Sequence, residues 1–194
     1  MKWRTKDERD SCINGFFALI GGGDMARFDS IFNHVIDIEG AYSNHSADTG
    51  GKTKFGITEA TARRNGYEGD MRELPKDKAR SIYYNEYWKE PRFCDVKEYS
   101  IAKELFEQGV NLGTTQATKN FQKSINIVCD RNLKVDGIIG PKTLRAYRKC
   151  EHKENIFIML NVLQARRYME IVENNPSQKV FLNGWLKRVT LTKR

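Results

Sequence analysis

The sequence predicts an α+β protein, mainly α-helical, with one small β element near its front. Three observations carry this. Apolar residues recur at steps of three and four through most of the 194 positions, the mark of amphipathic helices. One stretch, 41–57, instead gathers Gly, Ser, Asn, Asp and Thr around three apolar anchors, Tyr42, Phe55 and Ile57, which suits a β-hairpin or small irregular sheet. No fixed-period repeat, low-complexity tract or run of about 20 apolar residues, the length a membrane-spanning helix needs, is present.

Residues 1–24 read as an N-terminal extension. Their charged start mixes acids with bases, the apolar run Ile13–Ile20 is broken by Asn14 and Gly15, and no clean small-residue cleavage site follows, so they make a poor signal peptide. From Met25, residues Phe28, Ile31, Phe32, Val35 and Ile36 line one helical face, with Asp24 placed to cap its start and Gly40 to end it. A short helix is expected over 58–65. Pro75 sits at the first turn of a helix reaching Glu90 and carrying Tyr83, Tyr84, Tyr87 and Trp88. Ser100 is placed to cap a helix through Val110, and Thr114 or Thr115 one reaching Val128. "VDGIIGPKT" (135–143) reads as a tight turn launching a helix at Pro141; it has too few acids for a calcium loop. A long helix fits 154–174, Pro176 breaks it, and a last short helix holds Phe181, Trp185 and Val189.

The formal charge of +8 is unevenly placed. Residues 1–99 carry 16 Lys and Arg against 17 Asp and Glu, whereas residues 100–194 carry 17 against 8. Such asymmetry suits a polyanionic partner, whether nucleic acid, an acidic membrane surface or an anionic cell wall. The basic side chains, notably Lys142, Arg145, Arg148, Lys149, Arg166, Arg167, Lys187 and Arg188, come with no helix-turn-helix, zinc-finger or aromatic RNA-binding motif, so no nucleic acid is expected. The four cysteines, Cys12, Cys94, Cys129 and Cys150, form no C-x-x-C pair. They read as free, partly buried thiols of a protein made in a reducing compartment, with a disulfide left open.

The segment "DIEGAYSNHSADTGGKTKFGIT" (37–58) concentrates chemistry. Glu39 lies eleven residues after Phe28, about three helical turns, so it falls on the apolar face just before the helix stops. Apolar neighbours and the negative end of the helix dipole both favour its protonated form, as a general acid needs; the plain alternative is a solvent-facing carboxylate in a last turn. Asp48 follows nine residues later, in a turn region expected to fold back over the helix end. One desolvated and one hydrated carboxyl is the pairing that glycosidic cleavage requires. Thr53 and Thr58 offer hydroxyls to orient water, and glycines 50, 51 and 56 allow close backbone approach. Tyr42, Tyr83, Tyr84, Tyr87 and Trp88 offer ring faces for sugars, more than half of them expected in the core. Asn111, beside Gly113, is a candidate for bonding an acetamido group or a helix cap. A zinc site is not expected, because His45-x-x-Asp48 has only His34 and His152 as further partners and no H-E-x-x-H motif exists.

"IEGAYSNHSADTGGKTKFGIT" resembles the signature of glycoside hydrolase family 108, the phage and prophage muramidases. "YYNEYW" (83–88), "LFEQGVNLG" (105–113), "NFQKSI" (120–125), "VDGIIGPKT" and "FLNGWLKRV" (181–189) resemble the family's later landmarks, the last three within its peptidoglycan-binding region. The likeness spans about 25–190. It departs at Ala41, Glu107 and Gly109, where the family pattern has glycine, aspartate and alanine. The resemblance implies a lysozyme-like fold, with a catalytic lobe over 25–113 and a helical peptidoglycan-binding-type lobe over 114–190. It also implies hydrolysis of the β-1,4 bond between N-acetylmuramic acid and N-acetylglucosamine, without metal or cofactor. Glu39 matches the family's catalytic glutamate; Asp48, helped by Thr53, matches the acid and hydroxyl of phage lysozymes; Tyr42, Thr58, Tyr84 and Asn111 are the expected substrate contacts. A monomeric endolysin is implied, held in the host cytoplasm until the membrane is breached and then acting on the wall. Room for water between the carboxyls favours inversion. The rivals are a zinc amidase or peptidase and a non-catalytic wall binder.

Overall fold

The computed structural model describes residues 22–39 and 53–189. They are mainly helical, with one two-stranded antiparallel sheet. The chain forms two compact units, residues 1–81 and 82–194.

In the first unit, helix α1 (Gly22–Glu39) buries Phe28, Ile31, Phe32, Val35 and Ile36, the stripe its spacing predicts. It starts three residues earlier than expected, so Asp24 is not its cap. Asp24 lies in the first turn, where a negative charge suits the helix dipole, and pairs with Arg27 at 3.8 Å. The expected stop at Gly40 lies outside the described residues. Strands β1 (Thr53–Lys54) and β2 (Ile57–Thr58) pair in the register Thr53 to Thr58 and Lys54 to Ile57. The two linking residues, Phe55 and Gly56, have φ of 54° and 72°, the left-handed pair a two-residue hairpin needs to match strand twist. Gly56 meets that demand without strain; Phe55 does not. Thr58 caps α2 (Glu59–Arg64), its Oγ1 accepting the Thr61 N–H at 3.2 Å. Helix α3 (Lys76–Tyr83) is tied to α1 by Arg80, whose Nε donates to Asp29 at 2.5 Å and whose guanidinium lies over the Phe28 ring.

The second unit opens with a departure from expectation. The predicted single helix to Glu90 changes at Tyr84 into a π-helical stretch, Tyr84–Lys89, with the Glu90 N–H donating to the Asn85 carbonyl. In an α-helix residues five apart diverge; the wider π turn brings them near one another. Tyr83 and Trp88 therefore both bury, and both meet Phe106, at centroid distances of 5.8 and 6.3 Å. Helices α4 (Tyr99–Leu112), α5 (Thr114–Val128) and α7 (Lys153–Asn174) pack together around Leu105, Phe121, Ile125, Ile156 and Leu160. Glu98, not Ser100, occupies the cap position of α4. Pro141 opens α6 (Pro141–Arg148) as predicted, directly after Gly140. Helix α8 (Lys179–Leu186) follows the break at Pro176, and Trp185 stacks on Tyr168 of α7 at 5.3 Å.

Cys129 and Cys150 form a disulfide joining the end of α5 to the residues after α6. This corrects the free-thiol expectation. The pairing is tertiary: 21 residues separate the two, and only the turn and α6 between them bring the sulfurs together. Cys94 keeps its thiol.

A buried polar network crosses this unit's core. Gln108 Nε2 donates to Glu104 Oε1 at 2.8 Å and to the Leu160 carbonyl at 3.0 Å, and Asn120 Nδ2 donates to Gln108 Oε1 at 2.9 Å. Burial pushes the Glu104 carboxyl up to about 7, against the lowering effect of the Gln108 hydrogen bond.

Candidate active site

Two elements of the first unit carry expected site residues. Position 39 is the last of α1, three and four residues after the buried Ile36 and Val35, and its side chain lies outside the described ones. The hairpin brings Thr53 and Thr58 directly opposite one another, which sets their side chains on one face of the ladder. Thr58 Oγ1 already accepts the Thr61 N–H and sits 3.0 Å from Thr61 Oγ1, a helix-capping role the sequence reading did not foresee. Tyr42 and Asp48 lie outside the described residues.

The other expected contacts belong to the second unit. Tyr84 opens the π-helical stretch and is half-buried. Of its neighbours, Tyr83 and Trp88 are core, while Tyr87 is half-buried and packs on Tyr83 at 5.2 Å. Asn111 stands in the last turn of α4, where Nδ2 donates to the Glu107 carbonyl at 2.8 Å. That bond satisfies a helix-end carbonyl and fixes the side chain while leaving Oδ1 able to accept, as an acetamido N–H requires. The two departures nearby have local reasons. Glu107 reaches Lys103 at 3.7 Å. Gly109 lies under Phe93, where a Cβ would stand 3.1 Å from the ring.

This unit also holds an open cleft of about 310 Å³ that sequence reasoning missed. Glu86, Tyr87, Glu90 and Pro91 form one wall, and Gly113, Thr114, Thr115, Thr118 and Gly137 the other. Its one sequence signal was the cluster of three threonines after Gly113. Gly137, at φ 82°, backs onto Thr115, and a Cβ there would stand 2.8 Å from Thr115 Cγ2.

The basic residues of α6 and its C-cap face outward. Lys142, Arg145, Arg148 and Lys149 are exposed, and none has an acidic partner among the described residues. Arg166 and Arg167 differ, since both pair with Glu170, at 3.1 and 3.3 Å. Among the described residues no helix is long and apolar enough to cross a membrane.

Two family patterns match the sequence in tandem. That of "Glycosyl hydrolase 108" covers residues 32–113, and that of "Predicted Peptidoglycan domain" covers residues 116–190. Among solved structures, SagA of Brucella abortus is similar with a TM-score of 0.70 and 28% identity, over 85% of this chain and 90% of that one. No curated protein sequence matches significantly.

Proposed function

The chain belongs to the glycosyl hydrolase 108 family, a peptidoglycan-hydrolysing glycosidase of muramidase type, and on that premise we propose that Glu39 is its general acid. Glu39 donates a proton to the leaving oxygen of the β-1,4 bond between N-acetylmuramic acid and N-acetylglucosamine. Asp48, ionised, then activates water or steadies positive charge at the sugar, with Thr53 orienting that water. Tyr42, Tyr84 and Asn111 contact the glycan. Thr58 holds the hairpin end in place opposite Thr53.

The observation that carries this assignment is the way α1 ends. Five buried apolar residues at helical spacing precede an acid at the helix's last position, inside the matched span. A general acid must hold its proton near neutral pH, which burial beside apolar groups favours in general. A zinc amidase has no comparable support, and a non-catalytic binder would need no such acid.

The chain further reads as a monomeric phage or prophage endolysin, which waits in the host cytoplasm and reaches the wall after membrane permeabilisation. The unpaired cations of α6 support attraction to an anionic envelope, which concentrates enzyme at the wall and fades with salt.

Glu39→Gln tests the proposal. The variant is expected to fold and adsorb to purified wall, while reducing-end release falls by about 10²–10⁴-fold, the usual worth of a general acid. Near-wild-type release would overturn the assignment. New amino groups without new reducing ends would indicate an amidase or peptidase.

A further inference from the structure

Helix α8 is more apolar than its burial explains. Its eight residues, "KVFLNGWL", include five large apolar side chains, yet none of the eight is buried. Val180 is 77% exposed, Phe181 54% and Leu186 43%. An apolar helix left so open marks a surface that a partner covers. The lie of its aromatic rings narrows what that partner is. Tyr168 of α7 belongs to the core, and Trp185 stacks on it at 5.3 Å with the planes 28° apart. Phe181 then stacks on Trp185 at 6.1 Å with the planes 26° apart. Three near-parallel rings thus climb from the core to the surface, and the last of them is more than half exposed. Each ring holds the next, so the outer one is set in place before a ligand arrives.

Positions three and four apart adjoin on a helix, so Phe181, Gly184 and Trp185 share one stretch of surface and Lys187 borders it. A Cβ added at Gly184 would meet nothing within 4 Å. Packing therefore does not require glycine there, although glycine weakens a helix relative to alanine. Its effect is a step beside the rings, where a ligand can come close to the backbone. The field around the step is positive, because residues 179–188 hold Lys179, Lys187 and Arg188 and no acid. A flat ring face with a step and a cation beside it suits a sugar that bears a carboxylate. A second copy of the chain fits less well. An eight-residue helix is about 12 Å long and about 10 Å across, far short of the roughly 800 Å² per partner that a stable dimer buries. We propose that the Phe181–Trp185 stack is a glycan platform, on which one N-acetylhexosamine ring of a peptidoglycan strand lies flat against Phe181 while a lactyl or stem-peptide carboxylate meets Lys187. This rests on peptidoglycan as substrate. It assigns to named side chains of α8 a grip within residues 116–190, the span matched by the peptidoglycan domain pattern.

The test is titration of the full chain with the disaccharide N-acetylglucosaminyl-N-acetylmuramic acid. That probe lacks the bond a muramidase cuts, so turnover does not enter. The indole N–H resonance of Trp185, assigned through Trp185→Phe, is followed by NMR and is expected to shift as the sugar binds. Phe181→Ala is expected to weaken the binding read from that shift about fivefold to tenfold, the worth of a stacked ring, and Phe181→Tyr to restore it. Gly184→Leu fills the step at a position with open space, and is expected to weaken binding without lowering Tm. Chitobiose, which has no carboxylate, is expected to bind more weakly than the probe, and Lys187→Ala to erase that difference. A Trp185 resonance unmoved by the sugar would overturn the proposal, as would wild-type affinity in folded Phe181→Ala or Gly184→Leu. Equal binding of chitobiose by the wild type would overturn the carboxylate contact. A concentration-dependent dimer, lost in Phe181→Ala and indifferent to sugar, would overturn the platform in favour of a second copy. Reducing-end release from wall by the wild type, run in parallel, reports on the muramidase assignment separately from these affinities.

Discussion

Replacing Glu104 with Gln isolates a pH-dependent instability built into the helical core. Glu104 is 3% exposed, its Oε1 accepts the Gln108 amide at 2.8 Å, and its carboxyl titrates at about 7 against an ordinary 4.5. Because the folded value is the higher one, the folded state holds this proton more tightly than the unfolded chain. The stabilising contribution is therefore fully present below about pH 4.5 and is lost as pH rises through 7. Moving a carboxyl from 4.5 to about 7 corresponds to about 3 kcal/mol, at roughly 1.4 kcal/mol per tenfold change in proton affinity. For a chain of this size that is a fall in Tm of roughly 6–12 °C between pH 4.5 and 8 from this one group. Glutamine keeps an oxygen for the Gln108 amide and has no proton to lose. Urea unfolding of both proteins, followed by tryptophan fluorescence at pH 5, 6, 7 and 8, measures the effect. Other titrating groups are common to both and cancel in the difference. The variant is expected to gain on the wild type steadily with pH, reaching about 2–3 kcal/mol at pH 8. Parallel profiles, differing by under about 0.5 kcal/mol throughout, would refute the desolvation reasoning.

Three further outcomes follow from particular residues. Cys129→Ser with Cys150→Ser, or reduction of the wild type, is expected to cost about 3 kcal/mol, the worth of closing a loop of this length; an unchanged Tm after reduction would mean the bridge is not formed in solution. Arg145→Glu with Lys149→Glu on α6 is expected to weaken adsorption to purified wall at low salt and to leave it little changed at about 0.5 M, where screening removes long-range attraction; equal adsorption at every salt level would remove α6 from the interaction. Proton NMR of freshly cleaved glycan is expected to show the inverted anomer first, and initial release of the retained anomer would place the second carboxyl close enough to act as nucleophile.

The sequence made plain those features that depend on local spacing or on one residue's backbone limits. The α1 stripe and the helix at Pro141 both follow from such rules, and both stand in the structure. What it hid depends on contacts between distant residues. Nothing in "YYNEYW" marks a π turn, because its cause is the joint burial of Tyr83 and Trp88 against Phe106, far along the chain. Glu104 and Gln108 look like one polar helix face until Asn120 and Leu160 arrive to bond them. The Cys129–Cys150 pairing likewise needs the path of α6. Of the expected site residues, Thr53 and Thr58 were legible as hydroxyls but not as cross-strand partners, one of them a helix cap.

Salt separates long-range attraction by α6 from contacts at short range. The cations of α6 have no acidic partner among the described residues and lie exposed, so whatever attraction they exert acts over nanometres in dilute salt and is screened within about 8 Å at physiological ionic strength. An enzyme using that attraction alone would collect on any anionic envelope and cleave whichever glycan it met. Adsorption to purified wall that persisted at salt concentrations abolishing this field would show that contacts at hydrogen-bond range hold the enzyme as well.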